Sequence, residues 1–338
     1  MEARDLIRLL SGDNPKLQLY ALKEWENSHR HDPEPLLTAL DVSETEVVHR
    51  ALTLATRYHP TACAAKVIRL TEAADARFRR MAVEHLAPAM GQPAQQALTS
   101  LLAKERDPFV LASAVTTAAR LRLAASLLKP FLTHQEIRLR SNTIRALGAL
   151  GSPEIRPLVE PALKDPALRV QGEALIALAP LISPADLLAH IRRRLESPDS
   201  MVRAATIIIT AQLPLTQRLV LILERLQDPE LRVVHCALRA LAQLQDPTAI
   251  QHLIECYFSI DHPDTRKLLL QSLATMPSRL TLAQFVQIAP AAQVDSTRLS
   301  RILTLIGRLP DWEPFLPWLL NALERSDDGL RLQGLELV

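Results

Sequence analysis

One stretch of the sequence decides the fold, and it runs Arg145-Ala-Leu-Gly-Ala-Leu-Gly-Ser-Pro-Glu-Ile-Arg-Pro-Leu-Val-Glu-Pro-Ala-Leu-Lys-Asp-Pro-Ala-Leu-Arg169. A loose turn, Gly151-Ser-Pro153, ends one helical pattern, and the corner Asp165-Pro166 precedes the next one. Proline is tolerated at a helix start, and the preceding aspartate can cap the exposed amides of the helix that follows. The apolar residues between turn and corner recur at helical spacing, at Ile155, Leu158, Val159 and Leu163.

The corner at the end of this stretch recurs along the chain. Each copy places Asp four residues before Arg, with an apolar residue directly before the Arg. Eight residues after the Arg comes an alanine, as at Ala177, Ala211 and Ala240. The clearest copies are Asp165 to Arg169, Asp199 to Arg203, Asp228 to Arg232 and Asp327 to Arg331, and Asp75 to Arg79 follows the same rule.

The repeating unit is therefore a pair of helices: a first helix (A), a tight corner, a second helix (B) and a looser turn. Such a pair cannot bury its own apolar face, so it is stabilised by stacking on its neighbours. We predict an all-α, right-handed α-solenoid of about eleven antiparallel two-helix repeats without strands. The B helices are expected at about 16–28, 44–58, 76–88, 109–122, 136–150, 167–181, 201–213, 230–244, 264–276, 296–308 and from 328 onward.

The repeats predict a single solenoid domain over 1–338, with the clearest copies within 136–250. Its long concave face, lined by the B helices, is the expected working surface. The last B pattern stops at Val338, one residue before the expected alanine. Because solenoids need a polar cap and this end is apolar, we expect an incomplete last repeat in a longer natural chain.

The stretch from Arg145 to Arg169 resembles the HEAT repeat, and Leu238-Arg-Ala-Leu-Ala-Gln-Leu-Gln-Asp-Pro-Thr-Ala-Ile250 repeats it. It is most similar to the short HEAT-like repeats of phycobilisome-lyase-related proteins. In that family the Asp and Arg commonly tie adjacent repeats together. The resemblance thus implies structural anchors at Asp165, Arg169, Asp199, Arg203, Asp228, Arg232, Asp327 and Arg331.

The amino-acid composition of the chain is the one expected for a protein built from short, packed helices. Apolar residues make up 48% of the chain, aromatic residues only 4%, and there are 24 Pro but 8 Gly. The formal charge of +2 gives no field strong enough to attract nucleic acid or a membrane as a whole. Three scattered cysteines and a charged N-terminus without a signal sequence predict a cytoplasmic protein without membrane contact.

Motifs for catalysis are absent from the sequence. No glycine-rich phosphate loop, nucleophile elbow or His-Glu-x-x-His pattern occurs. His252 and Cys256 have the spacing that places two metal ligands on one helix face, but a small buried cysteine is the simpler interpretation. We therefore expect no catalytic residues, no metal site, no cofactor and no enzymatic activity.

One charge pattern stands out, because Arg and Lys outnumber Asp and Glu in the B helices by about two to one. Arginines that solvate an exposed face would give the same pattern. As a binding surface, they would attract an acidic partner, since guanidinium groups contact carboxylates and phosphates in pairs. The residues predicted to point outward towards the concave face are Arg50, Arg80, Arg140, Arg145, Arg239, Arg298 and Arg301.

These observations favour a protein-interaction scaffold or regulatory arm that holds an acidic or amphipathic segment of another protein along the B helices. One alternative is a nucleic-acid-binding solenoid, which fits less well because net charge is small and aromatic residues for base stacking are few. The resemblance to lyase-related proteins leaves a second alternative, a protein that attaches a chromophore or assists an enzyme.

Overall fold

The computed structural model describes residues 3–244, 246–260, 262–276, 278–288, 296–309, 311–324 and 328–335. Every regular element within these ranges is helical. The α-helices are α1 (Ala3–Leu10), α2 (Pro15–Ser28), α3 (Glu34–Ala39), α4 (Thr45–Tyr58), α5 (Ala64–Leu70), α6 (Ala76–His85), α7 (Gly91–Lys104), α8 (Pro108–Arg120), α9 (Ile137–Leu150), α10 (Arg156–Val159), α11 (Leu168–Leu178), α12 (Pro184–Leu195), α13 (Ser200–Gln212), α14 (Arg218–Leu223), α15 (Leu231–Leu244), α16 (Pro247–Ser259), α17 (Pro263–Ala274), α18 (Ser278–Ile288), α19 (Ser296–Ile306), α20 (Leu316–Leu323) and α21 (Asp328–Leu335).

Short 3₁₀ segments complete several A helices. They span Pro88–Met90, Ala125–Thr133, Pro153–Ile155, Glu160–Lys164, Glu224–Gln227 and Glu313–Phe315. With them, the described elements form eleven A–B pairs, as predicted. The B helices are α2, α4, α6, α8, α9, α11, α13, α15, α17, α19 and α21, and each begins within about two residues of its expected position.

The chain forms two compact units, Met1–Leu181 and Ile182–Val338. The first unit holds repeats one to six, and the second holds repeats seven to eleven. Within each unit, B helices of consecutive repeats pack directly on one another, as α8 does on α9 and α13 on α15. The prediction of one continuous solenoid domain over 1–338 stays a prediction.

Aspartates at the corners cap the B helices, as the sequence suggests. The carboxylate of Asp107 accepts hydrogen bonds from the amides of Phe109 and Val110, at 2.9 and 3.1 Å. Asp199 accepts one from the amide of Met201, at 2.8 Å. Each bond satisfies an amide that has no partner inside its helix, so these residues fix where the B helices begin.

The helices approach closely where small residues face each other. Gly148 of α9 lies against Ala177 of α11, and a Cβ atom added to Gly148 would lie 2.8 Å from the Ala177 Cβ. Ala177 is itself buried, so neither side leaves room for a larger residue. This contact explains why an alanine recurs at this position of the repeat.

We expect Gly148→Val to lower the free energy of unfolding by about 1–3 kcal/mol, because it overpacks the α9–α11 contact. The matched control is Ala149→Val, which places the same β-branched residue at an exposed position of the same helix. Urea unfolding followed by circular dichroism measures both variants. Equal stability of the two variants would contradict the close contact.

The length and the apolar character of the helices can be compared with what a membrane-spanning helix needs. Among the described residues, no helix is both long enough and apolar enough to cross a membrane.

Candidate interaction surface on the second helices

In three B helices, α6, α9 and α13, the side chain of the fourth residue joins two consecutive repeats. In α9 this residue is Arg140, whose guanidinium donates to both carboxylate oxygens of Asp165 at 2.7 and 2.9 Å. It also donates to the backbone carbonyls of His134 and Gln135, at 2.8 and 3.0 Å. Arg140 therefore clamps its own A–B corner and attaches the corner of the next repeat.

The same clamp recurs in both units. In α13, Arg203 donates to both oxygens of Asp228 at 2.8 Å and to the carbonyls of Ser197 and Pro198. In α6, Arg79 binds both oxygens of Glu105, at 2.7 and 3.0 Å. The recurrence shows that the clamp belongs to the repeat and not to one site.

Further B helices keep the half of the clamp that holds their own corner. The residues at the fourth position again donate to carbonyls of the preceding corner, as the side chain of Gln171 does to Asp165. We call the fourth positions that donate in this way the stacking row. Its members are Gln18, Arg79, Arg140, Gln171, Arg203, Arg266 and Arg331.

The clamp also sets the protonation of its acids. Hydrogen bonds from the Arg140 side chain hold the pKa of Asp165 below its usual value. Arg203 lowers the pKa of Asp228 in the same way, and Arg79 lowers that of Glu105. These carboxylates are therefore charged at neutral pH, which is the form that binds the arginine.

The family resemblance implied several anchors, and the structure places three of them in the clamp: Asp165, Arg203 and Asp228. Arg331 holds carbonyls of its own corner and contacts Asp328 at 3.3 Å. Asp327 lies outside the described residues.

The remaining implied anchors act differently. Asp199 caps its own helix. Arg169 donates to the hydroxyl of Ser141 at 3.1 Å, and Arg232 to the sulfur of Met201. Both arginines touch the preceding repeat, but neither takes part in a carboxylate clamp.

The expectation that Arg140 points outward is wrong. Its exposed fraction is 9%, and its guanidinium is occupied by Asp165 and two backbone carbonyls. Sequence spacing could not separate it from exposed arginines, because its partner lies in the next repeat.

The second residue is exposed in each of the six consecutive B helices α6, α8, α9, α11, α13 and α15. We call these six second residues the outer row, and its members belong to two units. They are Arg77, Phe109, Arg138 and Arg169 in the first unit, and Met201 and Arg232 in the second. Sequence analysis missed Phe109 and Arg138, although the recurrence of Arg at 138, 169 and 232 with the repeat spacing is a signal that could have found them.

Two outer-row arginines, Arg138 and Arg232, lie over apolar side chains of the preceding repeat. The guanidinium carbon of Arg138 lies 5.8 Å from the ring centre of Phe109. Arg232 contacts Met201 in the second unit. Phe109 is 54% exposed and Met201 is 47% exposed, so each pair presents an apolar surface beside a cation.

Besides Arg140, three further predicted binding arginines contact a carboxylate. Arg50 pairs with Glu26 on α2, and Arg145 pairs with Glu173 on α11. Arg80 lies 3.7 Å from Glu84 on its own helix. These surface pairs are exposed on the arginine side, so they hold the side chains in place without withdrawing them from solvent.

The other predicted arginines lie in the second unit. Arg239 and Arg298 are exposed. Arg301 is half-buried and donates to the carbonyl of Phe258, while the hydroxyl of Tyr257 donates to the carbonyl of Arg301 at 2.9 Å. Arg301 thus joins α16 to α19.

The structure gives the surroundings of the cysteine and histidine side chains that the sequence singled out. Burial raises the pKa of Cys63 to about 11 and also raises the pKa of Cys256, which disfavours the reactive thiolate. His252 lies 3.4 Å from Glu255. Within the described residues, no group of three or more His, Cys, Asp or Glu side chains is arranged to hold a metal ion.

Two histidines meet between α4 and α6. The ring centres of His49 and His85 lie 5.9 Å apart, and His85 contacts the hydroxyl of Thr56 at 3.2 Å. Burial lowers the pKa of His85, and the charge of His49 lowers it further, while Glu84 opposes and Arg120 adds to the shift. His85 is therefore neutral in the folded protein at neutral pH.

We expect Arg140→Met to lower the free energy of unfolding by about 1–3 kcal/mol, because it leaves Asp165 without its charged donor. The matched control is Arg169→Met, which removes an exposed arginine from the next B helix. Urea unfolding measures the difference. The clamp is not needed for stability if the two variants unfold at the same urea concentration.

Stability should fall in two steps on acidification. His85 has a lowered pKa in the folded state, so its contribution is complete above about pH 6.5 and is lost as the pH falls through the folded pKa. The clamp carboxylates also have lowered pKa values, so their contribution is complete above about pH 4.5 and is lost below it.

Thermal unfolding recorded across this pH range measures both steps. Burial also lowers the pKa of His235, so the variant His85→Gln should reduce the step near neutrality without removing it, and Asp165→Asn should reduce only the acidic step. A midpoint that does not change between pH 7 and pH 3 would contradict both assignments.

Comparison with known proteins gives a family match over part of the chain and a fold match over nearly all of it. A family model of HEAT repeats matches residues 124–209 and 188–274. Among curated proteins, no sequence matches the chain significantly. The likeness to phycobilisome-lyase-related proteins therefore stays a prediction.

Solved structures give the wider comparison. Importin beta aligns over 99% of this chain and 59% of its own, with 14% identity and a TM-score of 0.51. A homology model of the full-length AP-3 complex aligns over 98% of this chain and 67% of its own, with 13% identity and a TM-score of 0.51. YibA of Escherichia coli aligns over 78% of this chain and 98% of its own, with 14% identity and a TM-score of 0.48.

At these identities the importin beta and AP-3 structures show a common fold and nothing further. The fold agrees with the family match, which falls on the repeats where the corner motif is clearest. The chain has the fold of a HEAT-like α-solenoid, and its residues 124–274 carry HEAT repeats.

Proposed function

We propose that the protein is an interaction scaffold, whose B helices bind an acidic or amphipathic segment of a partner protein through the outer row. The observation that carries this proposal is the division between the second and fourth positions. Stacking occupies the fourth residue and leaves the second residue exposed in the same helix. The surface is therefore free to bind without loss of the clamp.

The outer row offers cations that stacking does not neutralise. Arg138 and Arg169 are exposed, and in the described part of the chain neither forms an ion pair. Guanidinium groups bind carboxylates in pairs of hydrogen bonds, and the exposed ring of Phe109 beside Arg138 adds an apolar contact. This combination suits a segment that carries both acidic and apolar side chains.

Repeat geometry sets the spacing of the acids. Packed helices lie about 8–10 Å apart, so outer-row residues on consecutive repeats lie at about that distance. A partner segment in the polyproline II conformation advances about 3.1 Å per residue with three residues per turn, so its side chains three residues apart point the same way and lie about 9 Å apart. An acidic side chain at every third residue of the partner would therefore meet Arg138 and Arg169 in turn.

The comparisons and the composition support a scaffold of this kind. The AP-3 structure bears the name of a multi-protein complex, and a solenoid that binds by its surface requires no catalytic group. The cysteines are all free, which is the usual state in the reducing cytoplasm, where we place the protein.

Peptides of defined acid spacing test the proposal. We expect a fluorescein-labelled peptide with Glu at every third residue to bind more tightly than isomers with Glu at every second or fourth residue. The double substitution Arg138→Ala and Arg169→Ala should weaken this binding about tenfold and reduce its salt dependence, because two cationic contacts are lost. Fluorescence anisotropy at two salt concentrations measures both effects.

The matched control removes the same charge from an A helix. Arg192→Ala with Arg193→Ala alters two exposed arginines of α12 and should leave the affinity within about twofold. Equal losses in the two double variants would reject the outer row as the binding surface. Tighter binding of duplex DNA than of every peptide, with the same dependence on Arg138 and Arg169, would reject a protein partner.

A further inference from the structure

A groove lies between two A segments of the first unit, away from the outer row of the B helices. The segments are Ala125–Thr133 of the fifth repeat and Pro153–Lys164 of the sixth. The groove between them measures about 890 Å³. It takes in the A–B corners of both repeats and no residue of the outer row.

Prolines explain why the groove is here. A proline has no amide hydrogen, and its ring clashes with the carbonyl four residues earlier, so it interrupts a regular α-helix. Pro130 interrupts the fifth A segment, and Pro157 and Pro161 interrupt the sixth. Both segments are largely 3₁₀, whereas the A helix of the fourth repeat, α7, is a continuous α-helix. We infer that these narrow, irregular segments cannot fill the space between repeats that regular helices fill.

The walls of the groove are apolar and accessible. Leu132 and Leu158 are half-buried, and the rings of Pro130, Pro157 and Pro161 are exposed. Apolar side chains on a concave surface gain free energy when a ligand covers them. The groove therefore favours a ligand with bulky apolar groups.

The charges around the groove are positive. Lys129 and Lys164 line it, and both are exposed without an ion pair to any described residue. Its one carboxylate, that of Asp165, is neutralised by Arg140. Glu160, which lies nearby in the sequence, pairs with Arg156 at 2.7 Å. An occupant that complements this groove carries negative charge.

The clamp makes the groove rigid. Arg140 holds the carbonyls of His134 and Gln135 on one wall and the carboxylate of Asp165 on the other. The two walls are thus fixed before a ligand arrives. A preformed site loses less conformational freedom on binding than a mobile one, so a short segment can bind there.

We propose that this groove binds a short acidic segment of a partner protein. The apolar side chains of this segment pack on Leu132, Leu158 and the prolines, and the carboxylates of the segment contact Lys129 and Lys164. The site is separate from the outer row and does not depend on the function proposed for it. One chain would then hold two partner segments, or two parts of one partner.

A short fluorescein-labelled peptide that alternates Glu with Leu and Phe tests the proposal. The double substitution Lys129→Glu and Lys164→Glu should weaken its binding at least about tenfold, because two attractive charges become repulsive. Ala162→Phe, which fills the groove without a change of charge, should weaken binding by a similar factor. Fluorescence anisotropy gives the affinities, and circular dichroism confirms that each variant is folded.

A control variant and a second variant locate the site. Arg192→Glu with Arg193→Glu makes the same change of charge on α12 and should leave the affinity within about twofold. The proposal is overturned if the wild-type protein does not bind the peptide, or if the groove variants bind it unchanged. It is also overturned if Arg138→Ala with Arg169→Ala weakens binding more than the groove variants do, which would assign the peptide to the outer row. A peptide of Lys, Leu and Phe that binds equally well would overturn it too.

Discussion

One interaction fastens the corners of consecutive repeats to one another, the guanidinium clamp at the fourth residue of α6, α9 and α13. Arg140 shows its complete form, since one side chain holds two corner carbonyls and both carboxylate oxygens of Asp165. A solenoid has no central core, so each repeat is stable only through its neighbours. The clamp fixes the register of that stacking, because it attaches the rigid corner of one repeat to the corner of the next. Apolar packing between repeats supplies the free energy of folding, and the clamp fixes how consecutive repeats are aligned.

The clamp also determines which of the first four residues of a B helix is buried and which stays exposed. An α-helix turns 100° per residue, so its second and fourth residues point in nearly opposite directions. In α9 the fourth residue, Arg140, is buried between repeats, and the second, Arg138, is exposed over Phe109. The same residue type is thus buried for stacking at one position and exposed at the other position of one helix turn. If the outer row binds a partner as we propose, substitution there can change the partner without disturbing the stacking.

The A helices are less regular than the B helices. Its segments vary from the regular helix α7 to the 3₁₀ segments of the fifth and sixth repeats, and prolines account for the difference. Irregular A segments are tolerated because the B helices pack on one another within each unit. The groove beside Lys129 and Lys164 is a consequence of this tolerance. The two surfaces can therefore diverge independently while the corner clamp stays the same.

The sequence by itself determined the helical class, the number of pairs and the positions of the B helices. These follow from local signals, namely apolar spacing and capping aspartates, which act within one helix and its corner. Only the tertiary structure decided which arginines bind between repeats. The spacing of Asp and Arg selects Arg203 at the fourth residue of α13, but Arg169 at the second residue of α11, since α11 begins two residues later after its aspartate. That shift rotates the side chain to the opposite face, and the carboxylate partners belong to neighbouring repeats, so no local pattern reveals the difference.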